Sequence, residues 1–158
     1  MSRSIFDTAP SWWLRALFAA PQALYRIGLG RLLGHRFLEL EHRGRQTGRL
    51  RRTVLEVVSY DPRTRESVVV AAWGPRSDWY RNVLAGGAAR VQTAGARYTP
   101  EHRVLAEADA RELLAAYERR NRAEVKLFRR LLRLRPDEPF PELARRMPLV
   151  VFWPRLAP

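Results

Sequence analysis

The chain has 158 residues and carries 29 Lys and Arg against 16 Asp and Glu, which gives a formal net charge of +13. It has no cysteine, so disulfide scaffolds and zinc sites built on thiolates are excluded. Hydrophobic residues make up 46%, too many for a disordered chain, and the length suits one domain with its own core. We therefore expect a single domain over residues 1–158, and the charge indicates an anionic ligand or partner.

Two short amphipathic helices are predicted for residues 1–34. The first carries Trp13 on a broad apolar face, and the second runs from about Pro21 to Leu33 and ends at Gly34. The first apolar stretch is far shorter than the ~20 residues that cross a bilayer, and no export signal is recognised, so we expect a cytoplasmic protein. The tryptophans either pack on the domain, cover a ligand pocket, or hold this segment at the inner face of the membrane.

Six segments rich in β-branched or apolar residues predict strands. They are Arg36–His42, Thr53–Tyr60, Ser67–Trp73, Ala89–Thr93, Arg97–Leu105 and Pro148–Pro154. Hairpin turns dominate, so the sheet is expected to be mostly antiparallel, and six strands favour closure into a barrel. The third segment is apolar enough to be buried on both faces, and Pro100 implies an edge or a break in the fifth. The predicted fold class is α+β, with the barrel over residues 36–154 and helices inserted into it.

Helices are predicted after the third and fifth strands. The first is capped by Ser77 or Asp78 and ends near Leu84. The later ones cover Glu107–Arg119, about Arg122–Leu134, and a short stretch that ends at Arg146. The Arg122–Leu134 segment is basic on one face and apolar on the other, and its Lys126 is the only lysine of the chain. Such a helix suits an anionic membrane surface or nucleic acid, and a solvated face is the plainer alternative.

The strongest local signal is a hairpin turn with five arginines within ten residues, Arg43 to Arg52. Gly44 and Gly48 allow backbone N–H groups to converge on one point as an anion-binding nest. The side chains that can add donors are those of Arg45, Thr47, Arg49, Arg51 and Thr53. The turn lacks the Gly-Lys-Ser/Thr end of a P-loop, and a solvated, charged hairpin tip is the competing interpretation.

A second signal lies where the third strand ends. Small residues at Ala71 and Ala72, then Gly74 and a helix N-terminus, are typical of a bed for a flat ring or an anion. Trp79 and Tyr80 either wall such a ring or pack in the core. No metal-binding or nucleophile motif is present, and no catalytic residue can be assigned, so a cofactor is expected to supply the chemistry.

Three of these segments together resemble the deazaflavin-dependent nitroreductase family. They are Gly44–Thr53 (GRQTGRLRRT), Val68–Ala72 (VVVAA) and Asp78–Val83 (DWYRNV). The likeness extends from about Tyr25 to Val151. It implies a split β-barrel of the FMN-binding type and an oxidoreductase that uses reduced coenzyme F-420, a deazaflavin with a phosphodiester and a polyglutamate tail.

The resemblance also implies roles for residues. In the family the turn and the arginine after it hold the phosphate region, here Arg45, Gln46, Thr47, Gly48 and Arg51, with Thr53 beside them. The strand end and the helix flank the ring, here Ala71, Ala72, Trp73, Gly74 and Trp79. Gln46 replaces the usual lysine, so Arg49 or Arg52 is expected to supply the missing charge. A substrate pocket is expected near Trp13, Tyr80 and Tyr117.

The expected reaction is hydride transfer to a quinone, a nitroaromatic or another electron-poor acceptor. Two alternatives remain: a non-catalytic binder of FMN, haem or a lipid-like ligand on the same barrel, and a charge-driven membrane or nucleic-acid binder. FMN is the alternative cofactor. Nucleic acid is the less favoured partner because the positive charge is spread along the chain. Peripheral membrane contact and, by analogy with other split barrels, a homodimer are further expectations.

Overall fold

The computed structural model describes residues 21–131 and 133–156. The first predicted helix, and with it Trp13, lies outside the described residues. The strands are β1 Phe37–Arg43, β2 Leu50–Asp61, β3 Glu66–Val70, β4 Ala88–Thr93, β5 Ala96–Tyr98, β6 Pro100–Val104 and β7 Leu149–Pro154. The helices are α1 Asp78–Leu84, α2 Glu107–Arg120 and α3 Arg122–Leu131, with 3₁₀ turns at Gly30–Leu33, Gly74–Arg76 and Phe140–Arg145. None of the described helices is long and apolar enough to cross a membrane.

The strands form one antiparallel sheet in the order β5-β4-β1-β2-β3-β7-β6, which curls into a nearly closed barrel. The α+β barrel class is confirmed, but there are seven strands instead of six. Pro100 divides the segment predicted as one strand, Arg97–Leu105, into β5 and β6, which lie at opposite edges of the sheet. Proline has no N–H to donate to a ladder, which explains the break at this position.

The long strand β2 belongs to both halves of the barrel. Its first part, Leu50–Glu56, pairs with β1, and its second part, Val57–Asp61, pairs with β3. The register shifts between Val57 and Ser59. Such an irregularity bends a strand and increases its twist, so the sheet can fold over on itself at this point.

The sheet separates two hydrophobic cores. The inner core fills the barrel and contains Leu38, Leu40, Leu55, Val57, Val69, Ala71, Trp79, Tyr80, Val83, Val91, Val150 and Phe152. The outer core lies between the sheet and α2, α3 and the last 3₁₀ turn, and contains Val68, Ala72, Ala110, Leu114, Val125, Leu134, Phe140, Leu143, Met147, Leu149 and Val151. Neighbouring residues of β3 and β7 alternate between the two cores. The prediction that β3 is buried on both faces is therefore confirmed.

Three predicted boundaries differ from the structure. β3 ends at Val70 instead of Trp73, because Gly74 turns the chain with a φ of 75°. The helix predicted from Pro21 to Leu33 is helical only over residues 21–26, and Gly28, with a φ of 80°, ends it before the 3₁₀ turn. α3 ends at Leu131 instead of Leu134: the N–H of Leu134 donates to the Arg129 carbonyl, which is typical of a Schellman end.

Candidate functional site

The arginine-rich turn between β1 and β2, residues 44–49, is held by its own backbone. The N–H of Gly48 donates to the Gly44 carbonyl at 2.7 Å, and the N–H of Gly44 donates to the Arg49 carbonyl at 2.9 Å. Gly48 has a φ of 64°, a conformation that favours glycine. Within the described part of the chain, the N–H groups of Gln46 and Thr47 have no hydrogen-bond partner, so these two donors are free for a ligand.

Arg45 joins this turn to α1. Its backbone N–H and its Nη1 both donate to Asn82 Oδ1 at 3.0 Å, and Nη1 also contacts Asp78 Oδ1 at 3.2 Å. The Arg45 side chain is therefore only 23% exposed and lies against α1. The two segments singled out in the sequence, the turn and the helix after β3, thus meet in space.

A buried pair lies behind this junction. Asn82 is 2% exposed and His42 3% exposed, and Asn82 Nδ2 lies 3.0 Å from His42 Nδ1. Burial lowers the pKa of the His42 imidazole, the nearby Arg51 guanidinium lowers it further, and Asp78 opposes the change. Neither residue was predicted as part of the site. Asn82 lies inside the quoted segment Asp78–Val83 and His42 ends the predicted strand Arg36–His42, but no sequence signal distinguishes a buried polar residue from an exposed one there.

The remaining arginines of the turn lie on different faces. Arg51 is opposite His42 in the β1–β2 register, and its Nε lies beside Gly44, so it borders the turn. Arg49 is exposed and forms no ion pair within the described residues. Arg52 points to the other face of the sheet and pairs with Glu41 at 2.8 Å, so it does not replace the charge missing at Gln46. That expectation was wrong for Arg52, because alternate residues of a strand face opposite sides.

Thr53 and the residues at the end of β3 are less exposed to a ligand than the residues of the turn are. Thr53 is half-buried opposite Leu40, and Ala71 and Ala72 are both buried. Gly74 is also buried, and Trp73 is half-buried against the outer core. Trp73 is thus the partly exposed aromatic residue of this segment.

Ser77 does not cap α1 with its side chain. Its Oγ donates instead to the Gly74 carbonyl at 2.8 Å and closes the preceding 3₁₀ turn. Ser77 is thus the N-cap residue of α1, one of the two predicted positions, but its side chain makes no capping hydrogen bond, and Asp78 in the first turn of α1 binds Arg45. The negative charge of Asp78 next to the turn is therefore balanced by Arg45, which belongs to the turn.

The two described tyrosines of the predicted substrate pocket, Tyr80 and Tyr117, do not meet. Tyr80 and Trp79 are both 8% exposed in the inner core, with their rings edge to face at 6.0 Å. Tyr117 lies on α2 and packs against the outer core. The sheet separates Tyr80 from Tyr117, so they do not share a pocket here, and Trp79 fits the core interpretation.

Tyr117 belongs to a polar network on the outer side of β2. Its Oη lies 3.0 Å from Glu56 Oε1 and 3.1 Å from Glu124 Oε2, and Arg36 pairs with Glu124 at 2.6 Å. Burial raises the pKa of the Glu56 carboxyl, and the Glu124 charge adds to the rise, while the Tyr117 hydrogen bond and Arg36 oppose it. The adjacent cavity of about 20 Å³ has room for one water molecule.

The basic helix is amphipathic, as predicted. Val125 and Phe128 pack into the outer core, and Arg129 is held by Glu118 at 3.3 Å and lies over the Phe140 ring at 5.7 Å. The cations that are exposed and form no ion pair with described residues are Arg119, Arg120, Arg122, Lys126, Arg130 and Arg133. We call these six residues the α2–α3 basic surface.

A nearly closed antiparallel barrel with a cationic hairpin turn beside a helix has the architecture of a split β-barrel. Residues 12–130 match the model of the F420H2-dependent quinone reductase family. The match covers most of the chain, so the protein belongs to this family. It is a deazaflavin-dependent oxidoreductase, and its cofactor is coenzyme F-420.

Three solved structures illustrate the likeness in fold. An F420-H2-dependent reductase, FDR-A, is 15% identical, with 74% of this chain and 93% of that chain covered and a TM-score of 0.48. A protein described as a domain-swapped dimer is 16% identical, with 84% and 98% covered and a TM-score of 0.48. An FMN-binding protein from Nostoc punctiforme, related to pyridoxamine 5′-phosphate oxidase, is 14% identical, with 93% and 83% covered and a TM-score of 0.49. No curated protein matches the chain.

The donor set of the turn fits the phosphate of a coenzyme. Two backbone N–H groups, at Gln46 and Thr47, are free within the described residues, and Arg49 and Arg51 provide guanidinium groups at the same turn. Such groups bind phosphate oxygens with charge-assisted hydrogen bonds. The described residues hold no cluster of acidic and histidine side chains that could bind a metal ion.

Proposed function

We propose that this protein transfers a hydride from reduced coenzyme F-420 to a quinone, a nitroaromatic or another electron-poor acceptor. In this proposal the phosphate-bearing part of the coenzyme lies at the turn 44–49. The observation that carries the assignment is the junction of this turn with α1, where Arg45, Asp78 and Asn82 hold the turn in one position. A fixed turn can bind an anion without losing freedom on binding, which a solvated hairpin tip cannot do.

The residues of the turn divide into anchors and binding groups. Arg45 is the anchor, since its guanidinium is engaged by α1. Arg51 and Arg49 supply positive charge, and Gln46 and Thr47 supply backbone N–H groups. A hydrogen bond between a charged group of the turn and the phosphate contributes ~1.5–3 kcal/mol to binding. Several such bonds hold the phosphate in place and thereby orient the rest of the coenzyme.

The ring is proposed to lie at the segment Ala71–Gly74. The half-buried Trp73 and the positive φ of Gly74 support this placement, because Trp73 offers a partly exposed aromatic side chain at the point where Gly74 turns the chain. The coenzyme supplies the hydride when it is bound, and the protein binds, orients and excludes water. Trp79 supports this site from the inner core.

Titration of the protein with coenzyme F-420, followed by quenching of tryptophan fluorescence, tests the cofactor site. We expect saturable quenching that Arg51→Ala weakens and Arg122→Ala leaves unchanged, since Arg122 lies on the α2–α3 basic surface. The proposal would be refuted if FMN quenched the fluorescence while coenzyme F-420 produced no quenching up to ~50 μM, a concentration at which even a weakly bound cofactor is detected. Oxidation of the reduced coenzyme with a quinone or a nitroaromatic as acceptor, compared by kcat/KM, then identifies the acceptor class.

A peripheral contact with the inner face of the membrane is a further proposal, and it would place this enzyme in the cytoplasm. It is supported by the six cations of the α2–α3 basic surface, which form no ion pair with any described residue, and by the exposed Leu127 among them. Co-sedimentation with anionic vesicles, compared with neutral ones, tests it. Homodimer formation is proposed from the fold class alone, and light scattering of the purified chain decides it.

A further inference from the structure

One buried amide connects three separate parts of the chain. Asn82 Oδ1 accepts two hydrogen bonds from Arg45, one from its backbone N–H and one from its guanidinium, both at 3.0 Å. Its Nδ2 lies 3.0 Å from His42 Nδ1. The Asn82 backbone carbonyl also accepts a hydrogen bond from the N–H of Gly87. A Cβ atom at position 87 would lie only 2.7 Å from this oxygen, so the close approach requires glycine there. α1, the end of β1 and the turn 44–49 therefore meet at Asn82.

The hydrogen bonds determine the orientation of the amide. The Arg45 N–H can only donate, so the Asn82 oxygen must face Arg45 and the NH₂ group must face His42. His42 Nδ1 must then accept, which requires a neutral imidazole that carries its proton on Nε2. The charged groups that face His42 from neighbouring elements are Arg51 on β2 and Asp78 on α1.

The same contacts determine where the turn presents its donors. Arg45 directly precedes Gln46 and Thr47, whose N–H groups have no partner within the described residues. Fixing the Arg45 backbone therefore fixes the starting point of the two peptide groups that follow. The other hydrogen bonds of the turn are donated by the N–H groups of Gly44, Gly48 and Arg49 to acceptors within the turn itself. They close the loop, but they do not determine its orientation relative to the barrel.

We propose that Asn82 is the positioning residue of the coenzyme-binding turn, and that neutral His42 holds the Asn82 amide in the required orientation. The effect on coenzyme affinity rests on the proposed function, whereas the effect on the turn does not. Asn82 is expected to act through Arg45 without touching the coenzyme.

The test compares Asn82→Leu and Asn82→Asp in the full chain by NMR. Leucine has a similar shape but no polar atoms, so we expect the amide signals of Gly44, Gln46 and Gly48 to shift, and the hydrogen exchange of the bonded Gly44 and Gly48 amides to accelerate by about tenfold or more. Coenzyme affinity is expected to fall by about 10- to 100-fold, which corresponds to the loss of about one charged hydrogen bond. Asn121→Leu is the matched control, since Asn121 caps α2 through the Tyr117 carbonyl, far along the chain from the turn.

Asn82→Asp provides a readout that a purely structural role would not change. Aspartate can accept both bonds from Arg45 and preserve the turn, but it presents an acceptor to His42 Nδ1. We expect the turn signals to stay close to native and the pKa of His42, followed through its imidazole proton signals, to rise. If the pKa of His42 is unchanged in Asn82→Asp, the proposal is overturned. This outcome can be measured even if Asn82→Leu does not fold.

The two proposals fail in different ways. Turn signals in Asn82→Leu that match those of Asn121→Leu overturn the positioning role. A displaced turn with unchanged coenzyme affinity supports the positioning role and overturns the assignment of the turn as the coenzyme site. A displaced turn with reduced affinity supports both.

Discussion

Two arginine-rich regions of this molecule differ in how their cations are held. At the turn 44–49, Arg45 is bound by two side chains of α1, and Arg51 lies beside the backbone of Gly44. On the α2–α3 basic surface, six cations are exposed and have no ion-pair partner within the described residues. Arginine density alone therefore does not distinguish a ligand site from a solvated surface. Fixed geometry does, because a preorganised site loses less entropy when the ligand binds.

The two regions also stand on different cores. α1 contributes Trp79, Tyr80 and Val83 to the inner core, so the turn is attached to the inside of the barrel. α3 contributes Val125 and Phe128 to the outer core. Changes on one side of the sheet are therefore expected to affect the other side little, and the following predictions test this separation from the largest effect to the smallest.

The largest effect is expected from Phe140→Ala in the outer core. Phe140 is 4% exposed and contacts Tyr117, Phe128 and Arg129. Its truncation should lower the free energy of unfolding by ~3–5 kcal/mol, measured by urea denaturation. Coenzyme affinity, measured where the variant is fully folded, should stay native. A parallel loss of affinity would show that the two sides of the sheet are coupled.

The next largest effect is expected from Arg51→Ala and Arg45→Ala at the turn. Each should weaken coenzyme binding by ~1.5–3 kcal/mol, because a hydrogen bond to a charged group is lost. Arg45→Ala acts indirectly, since its guanidinium anchors the turn to Asp78 and Asn82. Calorimetric titration measures both variants. Native affinity in both would mean that the turn is only a charged hairpin tip.

A smaller effect is expected from Glu56→Gln on the outer face of β2. Burial raises the pKa of Glu56 in the folded state, so this carboxyl stabilises the fold below its unfolded pKa and loses that contribution as pH rises through its folded pKa. Glutamine keeps an acceptor for the Tyr117 hydroxyl without the charge. The variant should gain thermal stability relative to the native chain at pH 8, and the difference should shrink at pH 4. If the difference in thermal stability between Glu56→Gln and the native chain were equal at pH 8 and pH 4, the raised pKa of Glu56 would be contradicted.

The smallest effect is expected on the α2–α3 basic surface. Arg122→Gln combined with Lys126→Gln should change the free energy of unfolding by less than ~0.5 kcal/mol, as for other exposed positions without partners. Coenzyme affinity should also stay native, in contrast to Arg51→Ala. A loss of affinity comparable to that of Arg51→Ala would place this surface in the coenzyme site and remove the distinction between the two regions.

Local patterns were sufficient for much of the fold. β-branched runs located the strands, Gly48 marked the turn between β1 and β2, and the basic and apolar faces of the segment Arg122–Leu134 predicted the amphipathic α3. The division of one predicted strand at Pro100 was also signalled by the residue itself, but the two halves lie at opposite edges of the sheet. Strand order depends on pairings between distant segments, which a local pattern does not encode.

The candidate site was predictable only in part. The turn and the helix after β3 were both identified as segments, but Asn82 and His42 were not, because their roles depend on hydrogen bonds across 37 and 40 residues. Tyr80 and Tyr117 were grouped in one pocket, whereas the sheet separates them. A residue's type indicates what it can bind, and only packing determines which neighbour it meets.

The sequence by itself determined the fold class of this protein and its candidate anion-binding turn, since the hairpin-rich strand pattern and the Gly-flanked arginine turn are local features that short-range sterics and charge dictate. Tertiary structure decided which arginines serve as anchors, which remain solvated, and which polar residues are buried behind the turn. The physical reason is that hydrogen-bond satisfaction and burial are properties of the packed barrel. The same guanidinium group is an anchor at Arg45 and a solvated charge at Arg122 only because of what lies within about 3 Å of it.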